Sequence, residues 1–412
     1  MKVGVVGSGH VGMVVAACLA EVGYDVIGVD LPSVVEALNR GEIDFFEPGL
    51  GEKVAKNVKA GRLRASTRLA DLANVNVVWI CVGTSQTAEG AIHFDLVERI
   101  VNELGRLCTS CTIIAIKSTM PVGACRYLAE RLPTEGPILV SNPEFLRQGS
   151  AIHDFFSPGK TVVGTGPQGG VGVLAQIYSI LPGTFIHTNW ETAETIKLTQ
   201  NTFNALHISF LNELSLVTDG LNISLDQVSQ ALREDEHALK RYLHPGFSYG
   251  GSCLPSNVAY LSYLARTQGY DAPLIQSIAT VNDLRISLLV EKISQTLGNL
   301  QGRFITIWGF TYKANTDDLR DSPSMRLAQK LFEAGAQVQI FDPILQLAKI
   351  ELVNVYYTFF ETAQQSLHKV DTLVTLTKCA EFASVPATAI TKALSSERIL
   401  DLVGALPQLT DV

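Results

Sequence analysis

The sequence predicts an α/β protein with two doubly wound, Rossmann-like units joined by a long central helix and a helical region. Three observations lead there. Over residues 1–190, short apolar strands alternate with helical stretches, the pattern of a parallel sheet covered on both faces. Residues 192–221 carry helical periodicity, with no proline and no glycine before Gly220. A second alternation of strands and helices starts at Arg303. A chain of 412 residues is too long for one ordinary core, and its expected divisions are 1–190, 191–300 and 301–412.

The first strand, Lys2-Val3-Gly4-Val5-Val6, runs into Gly7-Ser8-Gly9-His10-Val11-Gly12 and an apolar run through Ala20. The next strand, 25–29, ends on Asp30, eighteen residues beyond Gly12. Gly7 makes the turn, Gly9 lets backbone N–H groups reach a pyrophosphate, and Gly12 lets the helix pack close. The start of that helix, at His10 and Val11, offers free N–H groups to the anion. Asp30 can accept both ribose hydroxyls and repels a 2′-phosphate, and Leu31-Pro32 offers no arginine to a phosphate. The expected cofactor is therefore NAD.

Candidate strands follow at 75–82, 112–117, 138–141 and 161–164. Three of them end in polar clusters: Val82-Gly83-Thr84, Ser118-Thr119 and Asn142-Pro143-Glu144. Ligands of open α/β sheets bind at such carboxyl ends. The long helix carries Lys197, Asn201, Asn204 and Asn212 at steps of four, three and eight, which places them on one face. Helices are expected at 225–232, 257–267 and 273–297. The second unit reads as strand 304–308, Gly309, helix 323–334, strand 337–341, Asp342-Pro343, and strands 372–376 and 399–402.

A net charge of −8 without a basic run argues against nucleic-acid or membrane-surface partners. The first strand starts at residue 2, leaving no room for a leader, and no apolar stretch reaches membrane length. A cytoplasmic protein is expected. Its seven cysteines are scattered, and the lone Cys108/Cys111 pair lacks a second pair, so reduced thiols and no metal are expected. Cys253, within Tyr249-Gly250-Gly251-Ser252-Cys253-Leu254-Pro255, is the candidate nucleophile. A helix start behind it favours the thiolate. The alternative for any lone cysteine is a small buried apolar side chain. Glu144 is a candidate general base or a helix-start acid. Lys313, Asp317, Asp318 and Arg320 could hold phosphate or ribose, or form a surface cluster.

Together these motifs resemble the nucleotide-sugar 6-dehydrogenases, the UDP-glucose/GDP-mannose dehydrogenase family, almost end to end. The resemblance rests on Gly7–Gly12 with Asp30, Cys81-Val82-Gly83-Thr84, Ser118-Thr119, Asn142-Pro143-Glu144-Phe145-Leu146, and Lys197 with Asn201. It also rests on Gly250-Gly251-Ser252-Cys253 and on 313–320. Arg241-Tyr242 and Asp401-Leu402-Val403-Gly404 look closer to the GDP-mannose branch. The resemblance implies oxidation of a sugar C6 alcohol to the acid through a Cys253 thiohemiacetal and thioester. Lys197 stabilises the oxyanion, Asn201 orients the substrate, and Glu144 with Thr119 activates water. Phe145, Leu146, Arg147, Asn212, Tyr242, Tyr249, Gly250 and Lys313 contact the substrate, and Arg320 reaches the cofactor. A homodimer through the long helix is also implied.

The chain departs from the family pattern in places. Ser256 and Asn257 stand where a lysine and an aspartate are usual, Gln148 replaces a common glutamate, and His237 and His244 lie where arginines occur. Two alternatives follow: a two-electron dehydrogenase on a related alcohol, and a catalytically impaired NAD- and nucleotide-binding protein.

Overall fold

The computed structural model describes residues 1–110, 112–218, 220–221, 223–234, 246–347, 356–395 and 398–409. The chain divides into two compact units, Met1–Gln200 and Asn201–Val412.

The first unit is built on an eight-stranded sheet. Its chain runs through β1 (Lys2–Val6), β2 (Asp25–Val29), β3 (Leu63–Ser66) and β4 (Val77–Ile80). A small antiparallel hairpin, β5 (Ser85–Gln86) and β6 (Ile92–His93), interrupts it. Then come β7 (Ile113–Ile116), β8 (Ile138–Ser141), β9 (Lys160–Thr165) and β10 (Thr184–Asn189). The order across the sheet is β10-β9-β8-β7-β4-β1-β2-β3. All pairs are parallel except β8 with β9. The chain leaves β1 toward β2 and β3, then returns to β4 on the other side. The carboxyl ends of β1 and β4 therefore flank the point where the order reverses.

The strands expected at 75–82, 112–117 and 161–164 appear as β4, β7 and β9, with ends moved by one or two residues. The sequence reading did not anticipate β3 and β10, which are the two edges of the sheet. Only Leu63 is buried in β3, and no residue of β10 is buried, so neither carries the apolar run of the central strands. Val77-Val78-Trp79-Ile80, by contrast, is buried throughout, as strands covered on both faces are.

The first helix, His10–Glu21, is buried without interruption from Gly12 to Ala20, so it is a core helix rather than an amphipathic one. Two glycines allow it to lie where it does. Gly7 has φ +90°, and a Cβ there would meet the Cys81 carbonyl carbon and the Val82 nitrogen at 2.9 Å. A Cβ at Gly12 would come 1.7 Å from the Gly7 carbonyl oxygen. Farther along, Glu194 of the helix Trp190–Val217 accepts from Gly123 N at 2.7 Å and Cys125 N at 2.8 Å. It caps the helix Ala124–Ala129, and burial pushes its carboxyl above the ordinary value.

In the second unit the helices Leu225–Glu234, Leu254–Thr267 and Pro273–Leu297 precede a five-stranded, all-parallel sheet. Its strands are β11 (Phe304–Trp308), β12 (Gln337–Phe341), β13 (Thr358–Phe359), β14 (Thr372–Thr375) and β15 (Ile399–Asp401), in the order β13-β12-β11-β14-β15. The helix expected at 257–267 begins earlier, at Leu254. Pro255 sits in its first turn, where a missing N–H removes no bond. The duplication extends to detail: Gly309 after β11 has φ +88°, and a Cβ there would meet Thr377 N at 2.7 Å.

Gly12→Ala is expected to cost about 1–3 kcal/mol through overpacking, read as a lowered Tm. Gly9→Ala, whose Cβ meets nothing within 4 Å, is expected to melt near the wild type.

Candidate active site

At the end of β1, Gly9 is the residue before the first helix, with φ −67° and open space where a side chain would be. Nothing in the protein's own packing requires a glycine there, so the space is kept for something else. Asp30, behind β2, accepts from Ser8 N and, at 2.7 Å, from Leu31 N. Leu31 is exposed, and Pro32 opens the next helix. This donor and acceptor set fits NAD: a glycine turn with helix-start N–H groups for the pyrophosphate and a half-buried carboxylate for the ribose.

His10 turns to a residue the sequence reading overlooked. Its Nε2 lies 2.7 Å from Glu47 Oε2. Glu47 is buried and also accepts from Gly149 N at 2.7 Å and Ala151 N at 2.8 Å. Glu47 thus ties the glycine turn to the segment after Glu144. The Glu-Pro-Gly context at 47–49 was its only sequence signal.

The carboxyl ends of β4 and β7 are stitched together. Ser118 Oγ donates to Val82 O at 2.6 Å, and Thr84 Oγ1 donates to Thr119 O at 3.3 Å. Gly83 lies between Val82 and Thr84, and a Cβ there would meet nothing within 4 Å. Burial pushes the thiol of half-buried Cys81 beside them up to about 12, which disfavours its thiolate.

Beyond β8, Asn142 is a buried hub. It accepts from Trp79 Nε1 at 3.0 Å and Tyr178 OH at 2.7 Å, and donates to Val162 O at 2.9 Å. Its rigidity positions Glu144, whose Oε1 accepts from Lys197 Nζ at 2.7 Å and whose Oε2 accepts from Leu146 N at 2.6 Å. Both members of this ion pair are over nine-tenths buried. Lys160 Nζ lies 4.8 Å and Lys197 Nζ 5.6 Å from the Phe145 ring centroid. Arg147 engages Asp154 through Nε at 2.9 Å and Nη2 at 2.6 Å.

In the second unit Cys253 is exposed and occupies the cap position of the helix Leu254–Thr267. Every other described cysteine is buried or half-buried; Cys111 lies outside the described residues. Two glycines let the strap before the thiol approach its neighbours. A Cβ at Gly250 would stand 2.2 Å from Asp321 O, and one at Gly251, with φ +78°, would stand 2.8 Å from the Tyr312 ring. Asn282 holds Tyr249 by both backbone groups, at 2.8 and 3.0 Å, and burial pushes the Tyr249 phenol well up. Asp318 grips Arg320 through Nε at 2.9 Å and Nη2 at 2.6 Å. Asp318 holds that guanidinium above its already high value, with smaller contributions from Cys253 and Tyr312. Lys313 Nζ lies 5.5 Å from the Tyr312 ring centroid.

Asn201 Nδ2 donates to Asn257 Oδ1 at 3.1 Å. Asn212 is fully buried, with both side-chain amide atoms unpaired, while its carbonyl accepts from Arg285 Nη1 at 3.2 Å. Arg241, Tyr242, His237 and His244 lie outside the described residues. A cavity of about 960 Å³ is lined by Gly246, Phe247, Arg285, Lys292, Asp401 and Val403, among others. Arg285 and Lys292, seven residues apart on one helix, were not singled out by the sequence reading.

Asp342, behind β12, corresponds in position to Asp30, yet it is fully buried. It accepts from Phe310 N at 2.7 Å, Thr311 N at 3.2 Å and Ile344 N at 3.0 Å. The second unit therefore offers no free carboxylate there, and Ser324 Oγ donates to Gly309 O at 3.0 Å, as Gly12 closes on Gly7 in the first.

A glycine turn with its ribose acid, followed by a capped, exposed thiol and a second nucleotide-type sheet, defines an NAD-dependent oxidoreductase. Comparison with known proteins agrees. Residues 1–181 match the NAD binding domain of the UDP-glucose/GDP-mannose dehydrogenase family, 191–284 its central domain and 306–408 its UDP binding domain. The chain is 34% identical over 420 residues to the UDP-glucose 6-dehydrogenase of Rhizobium meliloti, covering 98% of this chain and 95% of that protein. It is 30% identical over 440 residues to the GDP-mannose 6-dehydrogenase of Azotobacter vinelandii, covering 100% and 98%. A UDP-glucose dehydrogenase structure from Pyrobaculum islandicum superposes with a TM-score of 0.89 at 28% identity, covering 98% of this chain and 97% of that one. The chain belongs to the UDP-glucose/GDP-mannose dehydrogenase family. It is an NAD-dependent nucleotide-sugar 6-dehydrogenase, and its substrate is a nucleotide sugar. No helix among the described residues is long and apolar enough to cross a membrane.

Burial raises the Asp154 carboxyl, but the hydrogen bonds and charge of Arg147 outweigh this and hold it below its ordinary value. A depressed folded value means that the unfolded chain binds more protons in acid. The pair's stabilisation is thus full above about pH 4 and lost as pH falls through the folded value. Asp154→Asn is expected to lower stability at neutral pH and to flatten its acid dependence, read by denaturant melts across pH.

Proposed function

We propose that the chain oxidises the C6 alcohol of a nucleotide hexose, of the UDP-hexose or GDP-mannose type, to the uronic acid through Cys253. The observation that carries the reading is the thiol itself: Cys253 is the one exposed cysteine among the described residues, set at a helix start behind two close-packed glycines. The named relatives act on substrates of these two types.

NAD, when held at the glycine turn, would supply the hydride acceptor for each of two oxidations at C6. The alcohol loses its hydroxyl proton in the first and becomes an aldehyde. The Cys253 thiol adds across the carbonyl: sulfur bonds to carbon, and the proton goes to oxygen. The thiohemiacetal loses that proton in the second oxidation and becomes a thioester. Water then cleaves the carbon–sulfur bond, releasing the carboxylate and restoring the thiol. Lys197 stabilises the oxyanion in the addition and hydrolysis steps. Glu144, already bonded to Lys197, takes the proton from the attacking water with Thr119 beside it. Asn201 orients the reacting hydroxyl. Gly7, Gly9, His10, Val11, Gly12, Asp30, Val82, Gly83, Thr84, Ser118, Thr119 and Arg320 hold the cofactor. Phe145, Leu146, Arg147, Tyr242, Tyr249 and Gly250 contact the sugar nucleotide, and Lys313 binds its diphosphate; Asn212, expected among them, is fully buried and out of reach of a substrate.

Residues 1–190 serve the cofactor, 191–300 the thiol and self-association, and 301–412 the nucleotide. Phe210 and Val217, seven residues apart on the long helix and exposed, support a homodimer through that helix. A cytoplasmic location is part of this proposal.

Two NADH per nucleotide sugar are expected, counted with UDP-glucose, GDP-mannose and their N-acetylated relatives. One NADH with free aldehyde would support the two-electron alternative, and none with any of them overturns the reading. Cys253→Ala is expected to abolish carboxylate formation. Lys197→Met is expected to lower kcat about 10²–10³-fold.

A further inference from the structure

Ser256 and Asn257 stand where the family resemblance leads one to expect a lysine and an aspartate, and a run of hydrogen bonds within the second unit links them to Asn201. Asn201 Nδ2 donates to Asn257 Oδ1 at 3.1 Å, Asn257 Nδ2 to Ser256 Oγ at 3.2 Å, and Ser256 Oγ to Ser252 O at 2.6 Å. Donation runs the same way along the whole series, so each bond strengthens the next.

The direction matters because an amide has two unlike ends. A carboxylate at 257 accepts at both ends and holds Asn201 in one orientation unaided. An asparagine does so only if its oxygen faces Asn201. Asn257 is 2% exposed, so water cannot exchange for a lost partner. Reversed, it would present N–H groups to Asn201, which would then have to turn its own carbonyl inward. Ser256 decides between the two states. Its hydrogen is shared between Ser252 O at 2.6 Å and Cys253 O at 3.1 Å, both backbone acceptors, so toward Asn257 its oxygen accepts. An ammonium at 256 can only donate and would draw Asn257 Oδ1 toward itself. Serine with asparagine and lysine with aspartate are each self-consistent pairs, and lysine with asparagine is not. In the observed state Asn201 Oδ1 makes no hydrogen bond to any described residue, while its amide nitrogen is committed.

We propose that Ser256 is a positioning residue. By fixing the Asn257 amide, it keeps Asn201 Oδ1 available as the acceptor for the substrate hydroxyl that is oxidised. This rests on the role given to Asn201 above.

The test is steady-state kinetics of the full chain at saturating NAD, with the nucleotide sugar varied and melting followed alongside. Ser256→Ala and Ser256→Lys are expected to lower kcat/KM for the nucleotide sugar about 3- to 10-fold, the size of one internal hydrogen bond. KM for NAD should stay near wild type, and Tm should fall only by what one lost internal hydrogen bond costs. Ser256→Thr, which keeps the hydroxyl, should restore efficiency, and adding Asn257→Asp to Ser256→Lys should recover most of the loss. Wild-type efficiency in Ser256→Ala or Ser256→Lys, or a threonine variant no better than the alanine one, overturns the inference alone. A wild-type chain that oxidises no nucleotide sugar overturns the function, and this inference with it.

Discussion

The first unit depends on how closely a helix can lie against a strand. Residues 12–20 are buried all round, so that helix cannot shift outward without exposing core. It cannot come inward either, because a side chain at 12 would collide with the Gly7 carbonyl. The position of its amino end, and hence of the N–H groups aimed at an anion, follows from this one contact. So does the placing of Ser8, whose N–H holds the Asp30 carboxylate.

Where the polar side chains sit is set by a different economy. Lys197 and Glu144 lie in a nearly dry place, and burying two charges costs more than an apolar pair of the same volume. Such a pair is poor as a fastener, which fits the proton-handling role proposed for it. Asn142, two residues from Glu144, has the opposite character: with three partners inside the core, it is a joint.

The central strands, the glycine turn, the long helix and four of the five strands of the second sheet, all but β13, were legible in the sequence as periodic or apolar runs or glycine motifs. The edge strands β3 and β10 were not, since they bury one side chain or none and look like loops. The helix behind Cys253 was set three residues late because Pro255 was read as lying before the helix; it belongs to the first turn. Candidate residues in glycine-rich or strand-end motifs stood out individually. Glu47, Asn282 and Asp342 did not, because their importance lies in backbone donors brought from distant parts of the chain, which no local pattern records.

The sealed carboxylate of Asp342 has a consequence for traffic through the protein. Buried, and holding Phe310 N, Thr311 N and Ile344 N, it leaves the second sheet without the accessible acid that Asp30 offers, so among the described residues only the first glycine turn is paired with a half-exposed ribose acid. In the proposed four-electron reaction the electrons cannot leave through one such site at once: the spent carrier would depart and a fresh one arrive midway, and the proposed bond to Cys253 would keep the half-oxidised sugar from escaping during the changeover.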